Sequence, residues 1–152
     1  MTVYKDTTTK HYSELVRILG KKYIKSKVES PFDFIQIANK GLNPNVIVNF
    51  RNHFNIPVDS AAAMLNTSGP TVYRWIRNNK NLESIFTVKL FEVADLFLYG
   101  SEVFGSHENF FKWLNLPNTA LGGMRPQELV VYPDGVSKVR DILGRIEHGV
   151  YS

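Results

Sequence analysis

The chain has 152 residues, 43% of them hydrophobic, which suffices for one ordinary core and excludes a disordered polymer. Its net charge of +4 suits a polyanionic partner, and the absence of cysteine excludes disulfides and thiolate metal sites and favours a cytoplasmic location. No apolar run reaches the roughly 18 residues of a membrane-spanning helix, and the start lacks the apolar stretch of a secretory signal, so we expect neither membrane insertion nor export by that route.

The first 30 residues are predominantly basic. Seven lysines and arginines face three acidic residues there, around a short apolar segment, LVRIL. We predict a loosely packed basic N-terminal arm over residues 1–30, although a charge run of this kind is often only a solvated surface.

Two amphipathic helices are predicted next. In the segment SPFDFIQIANKG, Ser30 is placed as N-cap, Pro31 takes the first position and Gly41 lies beyond the end. Its apolar residues recur at helical spacing and predict one buried face: Phe34, Ile37 and Ala38. A second helix, in which Val46, Phe50 and Phe54 recur every four residues, is expected to end near Pro57.

Two short helices are predicted to meet across a tight turn between residues 58 and 77. Ala62 is small enough for a close helix crossing, Asn66 tolerates a left-handed turn, and Ser68 can cap the second helix. Val72 and Trp75 then follow at the spacing typical of a helix-turn-helix. The sequence therefore predicts a DNA-binding module over residues 31–106.

The second of these helices has one apolar and one basic face. Val72, Trp75 and Ile76 share the face that we expect in the core, whereas no acidic residue lies between Arg74 and Lys80 on the other. Arginine can bond the O6 and N7 acceptors of guanine, hydroxyl groups near a helix N-terminus can contact phosphate, and lysine can neutralise phosphate. The predicted DNA-binding residues are Ser68, Thr71, Tyr73, Arg74, Arg77 and Lys80.

A long, strongly apolar helix is predicted from about residue 84 to 104. Its apolar residues are spread widely enough for burial on more than one side, so the helix could be core, dimer surface or both: Ile85, Leu90, Val93, Ala94, Phe97 and Leu98. A shorter helix follows, with Trp113 in the core. Pro and Gly residues then predict a structured turn region around one short helix, without the Lys and the spacing of a phosphate-binding P-loop.

The last helix is expected to begin at a cap formed by Asp134 and to end at Gly149. One stripe is apolar and predicted to be buried: Val136, Val139, Leu143 and Ile146. The opposite side is polar: Lys138, Asp141, Arg145 and His148. Residues 150–152 project beyond the helix.

The chain resembles the Xre/MbcA/ParS antitoxin family, and most closely the Xre antitoxins that accompany RES-domain toxins. The similarity lies in WLNLPNTALGGMRPQELV, in GVSKVRDILGRIEHGVYS and in TSGPTVYRW, and it runs from about residue 31 to the end. The segment at 121–126 and the terminal RIEHGVY are the most specific parts. Gly69 and Pro70 depart from the polar or basic residues that such antitoxins often carry.

The resemblance implies an all-α antitoxin of a type II toxin-antitoxin system. An Xre-like helix-turn-helix module would be followed by a small helical toxin-binding module at residues 107–152. The protein would form a homodimer, repress its own operon by binding operator DNA, and bind a cognate RES-domain toxin that degrades NAD. It would need no cofactor or metal, and it would have no catalytic residues.

The tail after the last helix is the predicted toxin-binding segment. Val150 and Tyr151 lie beyond the apolar stripe, where exposure to water is unfavourable without a partner. We hypothesise that the tail docks in the toxin's NAD cleft, with Tyr151 as anchor, because a tyrosine buries about 150 to 250 Å² at little cost in rotamer freedom. The alternative is a tail folded back on its own core. The predicted toxin-binding residues are Arg145, Glu147, His148, Gly149, Val150 and Tyr151.

Three other functions are alternatives to this interpretation. An enzyme is disfavoured, because the four histidines show no metal-ligand spacing and no cysteine can act as nucleophile. A stand-alone Xre-type repressor that responds to a small ligand would carry the same DNA module, but it has no need of an aromatic tail. A structural interaction module without DNA binding is the third.

Overall fold

The structure is a computed structural model that describes residues 2–149, with side chains from residue 11 onward. Within that part of the chain the fold is all-α, as the sequence predicts, and contains no strand. The α-helices are α1 (Thr2–Leu19), α2 (Pro31–Lys40), α3 (Asn45–Phe54), α4 (Val58–Met64), α5 (Gly69–Arg77), α6 (Ser84–Phe104), α7 (His107–Leu114), α8 (Pro126–Val130) and α9 (Gly135–Glu147). A 3-10 turn at Thr119–Leu121 lies in the turn region before α8.

The boundaries of α2 follow from the capping residues that the sequence shows. The Asp33 carboxylate accepts hydrogen bonds from the backbone N–H groups of Glu29 (2.8 Å) and Ser30 (3.1 Å), which would otherwise be unpaired ahead of the helix. At the other end Gly41 has a φ of 82°, and a Cβ there would lie 2.7 Å from the carbonyl oxygen of Leu82. Glycine therefore allows the segment before α6 to pass close to the end of α2.

The core is built around α6, which contacts α1, α2, α3, α7 and α9. Phe97 is fully buried, and its ring centroid lies 5.3 Å from that of Phe50, 5.0 Å from that of Phe54 and 5.1 Å from that of Phe110. Gly100 leaves room for the Phe110 ring, since a Cβ at this position would come within 2.2 Å of it. The prediction that α6 is buried on more than one side is confirmed.

The N-terminal segment differs from the loosely packed arm that we predicted. Leu15, Ile18 and Leu19 are buried in the core, and α1 packs against α3, where the Asn49 side chain donates a hydrogen bond of 2.8 Å to the carbonyl of Leu19. The segment after α1 is anchored as well, because Ile24 is buried. The prediction was wrong because it relied on the number of charged residues and gave too little weight to the helical spacing of Leu15, Ile18 and Leu19.

Two local predictions need smaller corrections. Ile85 is 70% exposed in the first turn of α6, whereas we expected it in the buried set. Asp134 precedes α9 with a φ of 60°, and its side chain makes no capping hydrogen bond. At the next position α8 and α9 are in close contact, since a Cβ on Gly135 would come within 1.9 Å of the Leu129 carbonyl oxygen. The backbone between the two helices is therefore set by packing and not by a side-chain cap.

The aromatic residues expected in the core around α5 and α7 are at its edge. Trp75 and Trp113 are half-buried and pack against the buried cluster, as does Ile76. The Trp75 ring lies 5.0 Å from the Phe86 ring of α6, which holds α5 against the core. Among the residues that the structure describes, no helix is both long and apolar enough to cross a bilayer.

Replacement of Phe97 tests the dependence of the fold on α6. We expect Phe97→Ala to lower the free energy of unfolding by about 3 to 5 kcal/mol, because it removes a fully buried ring and leaves a cavity. Urea unfolding followed by circular dichroism measures the loss. The matched control is Leu116→Ala after α7, where the side chain is 60% exposed, and it should change stability by less than about 0.5 kcal/mol. Equal unfolding midpoints for the two variants would contradict this account of the core.

Candidate functional site

The turn between α4 and α5 has the local geometry that the sequence predicts. Asn66 is left-handed with a φ of 61°, and the Ser68 hydroxyl caps α5 by accepting a hydrogen bond of 3.3 Å from the Thr71 N–H. Ala62 and Val72 are both fully buried where the two helices meet. DNA binding by this helix pair stays a prediction.

The exposed side of α5 and the turn after it are basic, and we call Tyr73, Arg74 and Arg77 of the helix, with Lys80 of the turn, the α5 basic face. All four are exposed, and Tyr73 shows 48% of its surface. None of the ion pairs among the described side chains involves Arg74, Arg77 or Lys80. The two guanidinium groups and the ammonium group can therefore approach an anionic partner without first breaking an internal ion pair.

Sequence analysis missed an acidic residue at the start of α5. Asp59 of α4 lies against Gly69, where an added Cβ would come within 2.3 Å of the Asp59 Oδ1 atom. A carboxylate is favourable at the positive end of a helix, but it repels phosphate from the same place. Pro70 has no N–H to offer a phosphate either. Ser68 and Thr71 are therefore less suited to phosphate contact than we expected, and the α5 basic face is better placed for it.

The second predicted site is the C-terminal end of α9. Val139 and Leu143 anchor this helix in the core, whereas Arg145, Glu147 and His148 are exposed. Gly149 ends the helix with a φ of 68°, and its N–H donates to the Ile146 carbonyl, as predicted. Val150 and Tyr151 lie outside the described residues, and their predicted roles stay predictions.

A chain of polar contacts leads from α1 through α6 to the end of α9, and we call it the α1–α6–α9 network. Asp95 of α6 accepts hydrogen bonds from the His11 ring of α1 and from Arg140 of α9, the latter over 2.7 Å. The Arg140 guanidinium lies over the Tyr99 ring, 4.9 Å from its centroid. The Tyr99 hydroxyl in turn donates a 2.8 Å hydrogen bond to Glu147.

Two pKa shifts describe the electrostatics of this network. The hydrogen bond to Asp95 raises the pKa of His11 against the opposing effects of burial and of Arg140, with Asp95 and Glu102 adding electrostatic attraction. The stabilisation from this ion pair is complete below the ordinary histidine pKa of about 6.5 and is lost as the pH rises through the higher value in the folded protein. Burial and the Glu147 carboxylate raise the pKa of the Tyr99 hydroxyl, which keeps it a donor at neutral pH.

The members of the network were not identified from the sequence, except for Glu147. His11 and Asp95 are 84 positions apart, and Tyr99 and Glu147 are 48 apart. No periodicity or motif connects residues at such separations. Across the described residues, no group of three metal-ligating side chains is placed to hold an ion.

Comparison with known protein families gives one match. Residues 100–149, about a third of the chain, match the family described as the antitoxin Xre/MbcA/ParS C-terminal toxin-binding domain. The match begins near the end of α6 and includes α9 up to Gly149. A search of curated proteins finds no match to this chain. The family match supports a role as the antitoxin of a toxin-antitoxin system, and it implies a toxin as partner.

Proposed function

We propose that this protein is an antitoxin that inhibits a RES-domain toxin by inserting its C-terminal tail into the NAD cleft of the toxin. The observation that carries the proposal is the exposed end of α9 within the region that matches a toxin-binding domain. The helix is rooted in the core by Val139 and Leu143, so it presents Arg145, Glu147 and His148 from a fixed support. The RES type of toxin and its use of NAD come from the resemblance seen in the sequence.

Truncation after Gly149 tests the tail directly, because it leaves all of α9 and the Tyr99 contact in place. We expect the truncated protein to lose most of its inhibition of NAD consumption by the purified cognate toxin, and Tyr151→Ala to lose part of it. The matched control is Tyr73→Ala, which removes an exposed tyrosine of α5 outside the region that matches the toxin-binding domain. Full inhibition by the truncated protein would exclude the tail as the inhibitory element.

We further propose that the α5 basic face binds operator DNA and that the antitoxin thereby represses its own operon. The support is that Arg74, Arg77 and Lys80 are exposed and make no ion pair among the described side chains. The opposite face of α5 packs against the core through Trp75 and Ile76. Arg74 and Arg77 are one turn apart on α5, as side chains that enter one groove must be. A location in the cytoplasm, where operator and toxin are accessible, belongs to the same proposal.

Binding to DNA from upstream of the gene, measured by fluorescence anisotropy at several salt concentrations, separates the roles of these residues. Arg74→Ala or Arg77→Ala should cost about 1 to 3 kcal/mol and relax the preference at one base position. Lys80→Ala should weaken binding to all sequences alike and lower the salt slope by about one.

Two further variants complete the DNA experiment. Asp59→Asn removes the carboxylate at the start of α5 and should tighten binding to every sequence. Lys138→Ala, on the exposed side of α9, is the control and should leave the affinity for DNA unchanged. Equal affinities for wild type and for both arginine variants would contradict base recognition by α5.

We propose that the protein binds DNA as a homodimer through the face between α2 and α6. Ile35 is 49% exposed and Ile85 is 70% exposed, and the two line one groove between these helices. Phe32 adds a further exposed ring on α2. Exposed apolar side chains that line a groove are typical of an interaction site. Phe97, in contrast, is enclosed by its own chain and makes no dimer contact.

Sedimentation equilibrium tests the dimer surface. Ile85→Asp should convert the dimer to a monomer without loss of fold, because the side chain is exposed and makes little contribution to the core. Leu116→Asp is the matched control, since Leu116 is 60% exposed and lies outside this face. A fully dimeric Ile85→Asp variant would rule out this surface.

A further inference from the structure

One side-chain hydrogen bond, from Tyr99 of α6, reaches the last turn of α9. Beyond Leu143, which is fully buried, the helix exposes Arg145 and Glu147, and Ile146 is only partly buried. The hydrogen bond of 2.8 Å from the Tyr99 hydroxyl to Glu147 ties the final residue of α9 to the middle of α6.

This turn has a weakness in its own sequence. Gly144 lies inside α9, where glycine costs more backbone entropy on folding than any other residue. The helix end therefore depends on tertiary contacts more than a helix of better formers would. A Cβ on Gly144 would lie 3.7 Å from the Tyr99 hydroxyl oxygen, an ordinary contact distance. Space for a better helix former exists, and glycine is not required there by packing.

The orientation of Tyr99 is set by residues on three helices. Its ring lies under the Arg140 guanidinium, and Arg140 is fixed by its 2.7 Å ion pair with Asp95. Asp95 also accepts from His11, so the docking of α1 on α6 and the position of Arg140 share one carboxylate. Hydrogen bonds and ion pairs of this kind are directional, so the position of each side chain in the network restricts the position of its partner.

We propose that Tyr99 is a positioning residue for the toxin-binding end of α9, supported by Arg140, Asp95 and His11. By holding Glu147, it orders the last turn of α9 in the free protein and with it the positions of Arg145 and His148. A helix end that is already ordered loses less conformational entropy when it binds, and it therefore binds more tightly. The link to toxin affinity rests on the proposed function, whereas the ordering of α9 does not.

The experiment uses Tyr99→Phe in the full chain, which removes only the hydroxyl group. We expect amide hydrogen exchange at residues 145–149 to become about three- to tenfold faster, the factor that corresponds to one net hydrogen bond. The Kd for purified toxin should rise by a similar factor, while exchange in α4 and α5 and the affinity for DNA stay unchanged. Tyr23→Phe is the matched control. Tyr23 lies after α1, and no hydrogen bond found among the described residues joins its side chain to α6 or α9.

A second-site variant separates positioning from general destabilisation. Gly144→Ala strengthens the helix by itself, so the double variant Tyr99→Phe/Gly144→Ala should return exchange at residues 145–149 towards the wild-type rate. Wild-type exchange in Tyr99→Phe would overturn the inference, even if truncation after Gly149 abolishes inhibition. Faster exchange with unchanged toxin affinity would overturn the positioning role as well. If truncation leaves inhibition intact, the proposed function fails, and the exchange rates still decide whether Tyr99 orders α9.

Discussion

The burial of α6 on several sides is the constraint on which the rest of the structure depends. A helix with this much apolar surface is stable in water only when other helices cover it, and here α1, α2, α3, α7 and α9 do so. The Phe97 ring contacts rings from both α3 and α7. The predicted DNA-binding and toxin-binding regions therefore meet in one hydrophobic core, with α6 as their common support. The predicted division of the chain at residue 106 therefore does not divide the core.

Polar contacts at the edge of this core have a different role from the apolar contacts inside it. Burial of apolar surface is non-directional, so it brings α1, α6 and α9 together without fixing their ends. Asp95 adds direction, because its two oxygens accept from cationic groups on two different helices. Because all three side chains are partly exposed, solvent screens these pairs, and their main effect is on geometry rather than on stability. The network can therefore fix the relative positions of helix ends that apolar packing alone does not determine.

The α4–α5 surface shows how a neighbouring helix alters the chemistry of a motif. Taken alone, the sequence of α5 offers a capped N-terminus and a run of cations, both suited to phosphate. The structure places Asp59 of α4 against that N-terminus, where it satisfies the helix dipole internally. The positive charge available to an outside partner is therefore concentrated at Arg74, Arg77 and Lys80. A surface with this distribution favours contacts along the helix over contacts at its tip.

The sequence by itself determined the features that depend on residues within one turn of each other. It located the capped start of α2 at Ser30, the left-handed turn at Asn66, the cap at Ser68 and the end of α9 before Gly149, because backbone hydrogen bonding and φ preference act over a few residues. Helical spacing in the same way identified part of the buried side of α6, at Leu90, Val93, Ala94 and Phe97, but it missed Phe91 and Leu96. The all-α class followed from these local patterns together.

Only the tertiary structure decided which of those local units contact each other. It buried Leu15, Ile18 and Leu19 of α1, where the charges had suggested loose packing, and it left Ile85 exposed although Leu90 and Val93 of the same predicted apolar set are buried. It also placed Tyr99 against Glu147 across 48 positions of sequence. Contacts of this kind arise when apolar faces pack and bring distant polar groups within 3 Å or so of each other, and no local pattern records them. The local signals determine the helices, whereas the packing of helix faces determines which side chains can act together.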